Sequence, residues 1–195
     1  KITIPEGKTW EEYIKLRWME ITCGEAPFMT SRYDTTTGRR IKLEDRIGFL
    51  DRKLRIVNEN TNTLKDWMDA AITAYQTSKA YEWQGDNLLL ARESLLYTFI
   101  DNYEFKFGER PDREYVKKIA FIISWNVWQM DGLKGVIPNS CHDVETRNLL
   151  GEVERTPCPG CKTKNIHKHN GIPVLLKVFS SGNTYPYHLL YKKNE

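Results

Sequence analysis

The sequence predicts an α/β fold: a parallel sheet flanked by helices, followed by a small Cys/His-rich segment that closes in a β-hairpin. Three observations carry this expectation. Short β-prone stretches within Trp18–Phe28, Tyr81–Gly85 and Asn126–Asp131 alternate with long runs at helical apolar spacing, the pattern of strands joined by crossover helices. Carboxylates gather at the strand ends, at Glu20 to Glu25, at Glu82 with Asp86, and at Asp131. From Pro138 onward the composition shifts to Pro, Gly, Cys and His, which divides the chain into a core of residues 1–137 and an appended segment of residues 138–195.

The first strand runs from Trp18 into Thr22-Cys23-Gly24-Glu25, where small residues at the carboxyl edge of a sheet let backbone amides approach a ligand. Thr30 to Arg40 is rich in turn formers and reads as a surface loop or small hairpin. Leu43, Ile47, Leu50, Leu54 and Val57 recur at the period of one buried helix face. A second helix opens with Thr63 as N-cap and Asp66 three residues on, ahead of Trp67, Ala70, Ala71, Ala74 and Tyr75. The aromatic strand Tyr81–Gly85 hands over to a helix from Leu88 to Tyr103, capped by Asp86 or Asn87. Beyond Gly108 and Pro111 a helix carries Val116, Ile119, Ala120, Ile122 and Ile123, and the third strand follows. At the end, Val174–Phe179 and Tyr187–Tyr191 flank Ser181-Gly182-Asn183 as a hairpin.

Composition bounds the function. An aromatic share of 12% argues against disorder, and no apolar run has the length of a membrane span, so a soluble, cytoplasmic protein without a membrane partner is expected. A net charge of +3 is compatible with nucleic acid and does not demand it. Lys1-Ile2-Thr3-Ile4-Pro5 has neither an initiator Met nor a signal-peptide profile, which suggests a piece of a longer protein. The four cysteines, without secretory features around them, read as thiols or metal ligands rather than disulfides.

In open α/β sheets ligands bind at the carboxyl ends of the strands, and a carboxylate there can hold a ribose diol or accept from an exocyclic amine. The residues at these ends resemble a known family. Glu20-Ile21-Thr22-Cys23-Gly24-Glu25-Ala26-Pro27-Phe28 is similar to the first cofactor motif of class I S-adenosylmethionine-dependent DNA adenine methyltransferases, usually Leu-Glu-Pro-Ala/Ser-Cys-Gly-x-Gly-x-Phe. Tyr81 to Asn87 with Ala91-Arg92 is similar to the second motif, and Asn126 to Leu133 to the third. Together with Arg46-Ile47-Gly48, Asp51-Arg52-Lys53-Leu54 and Trp125 to Gly135, these blocks resemble restriction-modification methylases, and the likeness runs from about Lys8 to Gly171.

The resemblance implies a Rossmann-like methyltransferase sheet and a role for each matching residue. Thr22, Cys23 and Gly24 would pass beside the methionine part of the cofactor with Glu20 near it; Glu82 would hold the ribose; Asp131 would meet the adenine amine, and Trp83 and Met130 would line the purine. The pattern also departs from the family. Ala26 and Pro27 stand where its second Gly belongs, and the interval from Glu20 to Glu82 is long. Most importantly, transfer to a flipped adenine uses Asn/Asp-Pro-Pro-Tyr/Phe, and no such tetrapeptide occurs; Asn183-Thr184-Tyr185-Pro186-Tyr187 lacks the Pro pair. No catalytic residue is therefore assigned. The chain reads as an incomplete, cofactor-binding part of such an enzyme, whose partners would be DNA, through the full-length protein, and the remainder of the methyltransferase chain.

In the appended segment, Cys158-Pro159-Gly160-Cys161 is a knuckle whose two thiolates can face one metal. Cys141 and one of His167 or His169 would complete a tetrahedral structural zinc site. Lys162, Lys164, His167 and Lys168 around it could meet phosphate, while Arg39, Arg40, Arg52, Lys53 and Arg55 read as a solvated face. The competing expectation is a non-enzymatic, zinc-stabilised nucleic-acid-binding or assembly module on a degenerate methyltransferase-like sheet.

Overall fold

The structure, a computed structural model, describes residues 2–148 and 151–191. It is mixed α/β and divides into two compact units, Lys1–Trp128 and Gln129–Glu195.

The first unit opens with α1 (Trp10–Ile14), which sequence patterning missed although its signal was present. Thr9 and Glu12 form a capping box, each side chain bonding the other's backbone N–H. Strand β1 (Trp18–Glu20) pairs in parallel with β2 (Ser78–Glu82), Trp18 opposite Ser78 and Glu20 opposite Ala80. The short β3 (Val127–Gln129) completes a sheet of order β1-β2-β3. Between β1 and β2 run α2 (Phe49–Asn60) and α3 (Leu64–Gln76); between β2 and β3 run α4 (Gly85–Phe107) and α5 (Arg113–Asn126). Trp67 of α3 is fully buried against Phe99, Tyr103 and Phe107 of α4, and its indole N–H donates to Asn58 at 2.7 Å. This aromatic stack supplies directional packing beyond the area it removes from water.

Several expected boundaries move, each for a physical reason. The helix expected from Leu43 starts at Phe49, because Leu43–Asp45 is a 3₁₀ turn and Ile47 is exposed. Phe28 and Met29 carbonyls accept from Phe49 and Leu50 N–H, so the β1 loop satisfies the orphan donors of α2 there. The second strand begins at Ser78 rather than Tyr81, and its helix begins at Gly85 rather than Leu88, with no side-chain cap. Asn126 belongs to α5, where its amide donates to the carbonyls of Tyr75, Gln76 and Ser78. Lys53 does not lie on a solvated face. It is 1% exposed, and its ammonium donates to Leu16 O, Thr77 Oγ1 and Ser78 Oγ at 2.6, 2.7 and 3.3 Å.

The second unit holds two antiparallel hairpins, β4 (Val144–Arg147) with β5 (Val153–Thr156) and β6 (Leu175–Lys177) with β7 (Thr184–Pro186), and the short α6 (Pro159–Thr163). The first hairpin was not expected. The terminal hairpin was, but its second arm is Thr184–Pro186, and Tyr187–Leu190 forms a 3₁₀ turn instead of a strand. Its described buried apolar side chains are few: Met130, Val136, Cys158, Val174, Leu176 and Tyr187. A unit of this size with so small a core needs a staple.

Candidate functional site

Two constellations hold chemistry-bearing side chains. The first is the loop after β1. Thr22, Gly24 and Ala26 all adopt left-handed backbone, with φ of 49°, 55° and 60°. For β-branched Thr22 this costs about 1 kcal/mol or more, so the surroundings must hold it. They do: Cys23 N–H donates to Tyr81 O at 2.9 Å, Gly24 N–H to Glu82 Oε2 at 2.7 Å, and Met29 N–H to Glu20 Oε2 at 2.9 Å. Glu82 also accepts from Gln84 N–H through Oε1. Both carboxylates predicted to serve a ligand thus brace the loop, each oxygen keeping a lone pair for a further donor.

A cavity of about 660 Å³ opens beside the loop, bordered by Glu20, Thr22, Cys23, Gly24, Thr30 and Ser94. Burial pushes the Glu20 carboxyl up to about 7 against the lowering effect of the Phe28 and Met29 N–H groups. Burial, with the Glu20 and Glu82 carboxylates nearby, pushes the Cys23 thiol up to about 12, so it is a thiol at neutral pH. Trp83 lies on the turn beyond Glu82, 38% exposed. Met130 and Asp131 belong to the second unit. Asp131 there caps a turn, accepting from Leu133 N–H at 3.1 Å and pairing with Lys134 Nζ at 3.1 Å.

The second constellation is Cys141, Cys158, Cys161 and His169, whose ligand atoms all lie within 4.8 Å of one another. His169 Nδ1 is 3.5 Å from Cys141 Sγ and 3.7 Å from Cys158 Sγ and Cys161 Sγ. A tetrahedral ion about 2.3 Å from sulfur and about 2.0 Å from nitrogen sets those atoms roughly 3.5 Å apart, so the group can hold a metal ion. Of the two candidate histidines, only His169 joins it. His167 stacks edge-on against His188 at 5.6 Å, its ring nitrogens buried without a hydrogen-bond partner among the described residues.

Local chemistry brings the four together. Pro159 opens α6 directly after Cys158, placing Cys161 one turn away. Any side chain at Gly160 would meet the His169 ring and backbone at 2.5 Å, so only Gly lets the two loops touch. Asn170, which sequence reasoning did not single out, bonds His142 through both ends of its amide and donates its N–H to Cys158 Sγ at 3.3 Å. The Asn170-Gly171 turn signal was its only trace in the sequence. Burial raises the Cys158 thiol, but the N–H groups of Asn170, Cys161 and Gly160 and the His169 ring outweigh it and bring it down to about 6. Cys141, half-buried and facing the other two sulfurs, is pushed up to about 11. A cation among the sulfurs reverses that, because it favours thiolates.

Among the described residues no helix is long and apolar enough to cross a membrane. Comparison with protein-family models, curated proteins and solved structures found no match.

Proposed function

We propose that this chain is the S-adenosylmethionine-binding part of a DNA adenine-N6 methyltransferase of a restriction-modification system, unable to transfer the methyl group alone. The observation that carries the reading is the braced left-handed loop at the carboxyl end of β1, opening on a cavity with Glu20 and Gly24 at its edge. Strained backbone of this kind concentrates at ligand sites, and the ends of parallel strands are where nucleotide cofactors sit. Glu20 would take the cofactor's ammonium, Gly24 would allow close approach, and the free lone pairs of Glu82 would take ribose hydroxyls. The strand order β1-β2-β3, with β1 and β2 parallel, supports the reading, since half of a Rossmann-like sheet has that order.

Calorimetric titration with S-adenosylmethionine tests this: binding is expected, weakened at least tenfold by Glu82→Ala. An intact protein that gives no heat removes the reading and leaves a zinc-stabilised binding or assembly module. That alternative is favoured by one observation, that Glu82 and Asp131 already engage donors of the chain itself.

The metal held by the second unit is zinc in this proposal, bound by Cys141, Cys158, Cys161 and His169. Four protein ligands leave no open position, so zinc there would organise the fold rather than react. Protein purified without chelator should carry one equivalent of zinc, and Cys161→Ser should lower that content, with the same change at exposed His142 leaving it intact.

A further inference from the structure

Beside the first site, whose cavity Arg32 and Tyr33 also border, the first unit concentrates positive charge around one carboxylate. Asp101 of α4 receives Arg32 Nη1 at 2.7 Å, Arg40 Nη2 at 2.8 Å and Arg46 Nη2 at 2.8 Å. The side chains of Arg32 and Arg46 are only 6% and 2% exposed, so two guanidinium charges are withdrawn from water; both share Asp101, and the buried Asp51 carboxylate also acts on Arg46. Arg46 Nη1 is buried without a hydrogen-bond partner among the described residues. Charge withdrawn from water in excess of its partner acids is costly, and an anion from solution would offset it.

The arginines do not close on themselves. A cavity of about 540 Å³ opens where Arg32, Arg40 and Arg110 meet Tyr33, Tyr97 and Asp101. Tyr97, Asp101 and Glu104 stand at positions i, i+4 and i+7 of α4, on the helix face that meets this opening. The Arg32 guanidinium lies 5.3 Å from the Tyr97 ring centroid and 5.9 Å from that of Tyr33. Tyr97 and Tyr33 are both about half exposed, so each ring keeps surface for a second planar group. Glu104 faces the same space and pairs with Arg110 at 3.0 Å. Even so, three guanidiniums line this opening against two carboxylates. Planar, forked donors beside aromatic rings suit a phosphate attached to a base.

We infer that Arg32, Arg40 and Arg110 form a site for the phosphate of a nucleotide, with Tyr97 as the wall on which its base stacks. The phosphate takes the donors that Asp101 leaves unspent, and the cavity has the volume of a small-ligand site. Free nucleotide and nucleic-acid strand present the same chemistry here.

The test uses the full chain, with anisotropy of a fluorescein-labelled oligothymidylate 12-mer and competition by AMP and by inorganic phosphate. Arg40 and Arg110 have side chains 60% and 87% exposed, so the double variant Arg40→Gln/Arg110→Gln should fold normally, which a thermal melt verifies. Binding by the wild type is expected, at least tenfold weaker in the double variant, with the salt slope shallower by about one to two. Tyr97→Ala should weaken it about tenfold. Efficient displacement by AMP identifies a free nucleotide as the occupant; retention of the 12-mer against AMP identifies a strand. Either outcome supports the site. A wild type that binds neither the 12-mer nor AMP, or variants that bind as the wild type does, would overturn it. Neither substitution touches Glu20 or Gly24, so loss of S-adenosylmethionine binding would leave this result unaffected.

Discussion

Glu20 keeps its proton at a pH where an exposed glutamate has long lost it, and the reason is local: it is buried at the end of β1, and the N–H groups of Phe28 and Met29 offset that burial only in part. Its folded pKa of about 7 lies above the ordinary glutamate value of 4.5, so the stability it contributes is fully present below pH 4.5 and is lost as pH rises through 7. Glu20→Gln keeps the acceptor for Met29 and removes the titration. In urea melts from pH 4 to 8, the variant should gain on the wild type by on the order of 2 kcal/mol between pH 4.5 and 7 and then hold level. A difference that does not vary with pH would contradict the assignment. Lys53 shows the opposite case, brought down to about 7 by burial alone. Its three acceptors come from Leu16, Thr77 and Ser78, distant in sequence, so no local pattern of charges could distinguish it from its solvated neighbours. His169 was likewise beyond spacing rules: both histidines follow the knuckle, and the tie between Asn170 and His142, distant in sequence, lies next to His169.

At the scale of elements, the turn from β1 into α2 depends on Gly48. An added Cβ would collide with the backbone of Met29 and approach Thr30 N at 2.7 Å, and backbone cannot step aside as a flexible side chain can. Gly48→Ala should therefore cost about 2–3 kcal/mol and lower Tm by roughly 6–9 °C in a thermal melt. A shift under 2 °C would mean the junction yields more easily than its geometry implies. The helices that local signals announce came through: Thr63 caps α3 by accepting from Asp66 N–H, and Gly108 ends α4 in the left-handed conformation. The displaced starts of α2 and β2 share one cause. Ile47 fits the helical period but sits where the chain is held extended by Ser31, and Ser78 looks like a turn residue but is buried beneath Lys53 and Asn126.

On the scale of the whole molecule, the two units differ in what their interiors offer, an aromatic core in one and a Cys3His cluster able to hold a metal ion in the other. All six tryptophans precede residue 129, so indole emission reports on the first unit alone. Removing metal with a strong chelator should leave that emission unchanged while amide exchange between Ile137 and Val174 accelerates at least tenfold. A matching shift in emission would show that the first unit also depends on the metal.

A metal ion in the Cys3His cluster would also determine how the chain bears load. Cys141 and His169 are 28 positions apart, and with an ion between them the intervening segment becomes a closed loop. A molecule stretched between its ends would keep about 95 Å of contour length hidden until a metal–ligand bond ruptures. Its force–extension trace should lengthen by that step, at a force set by the metal.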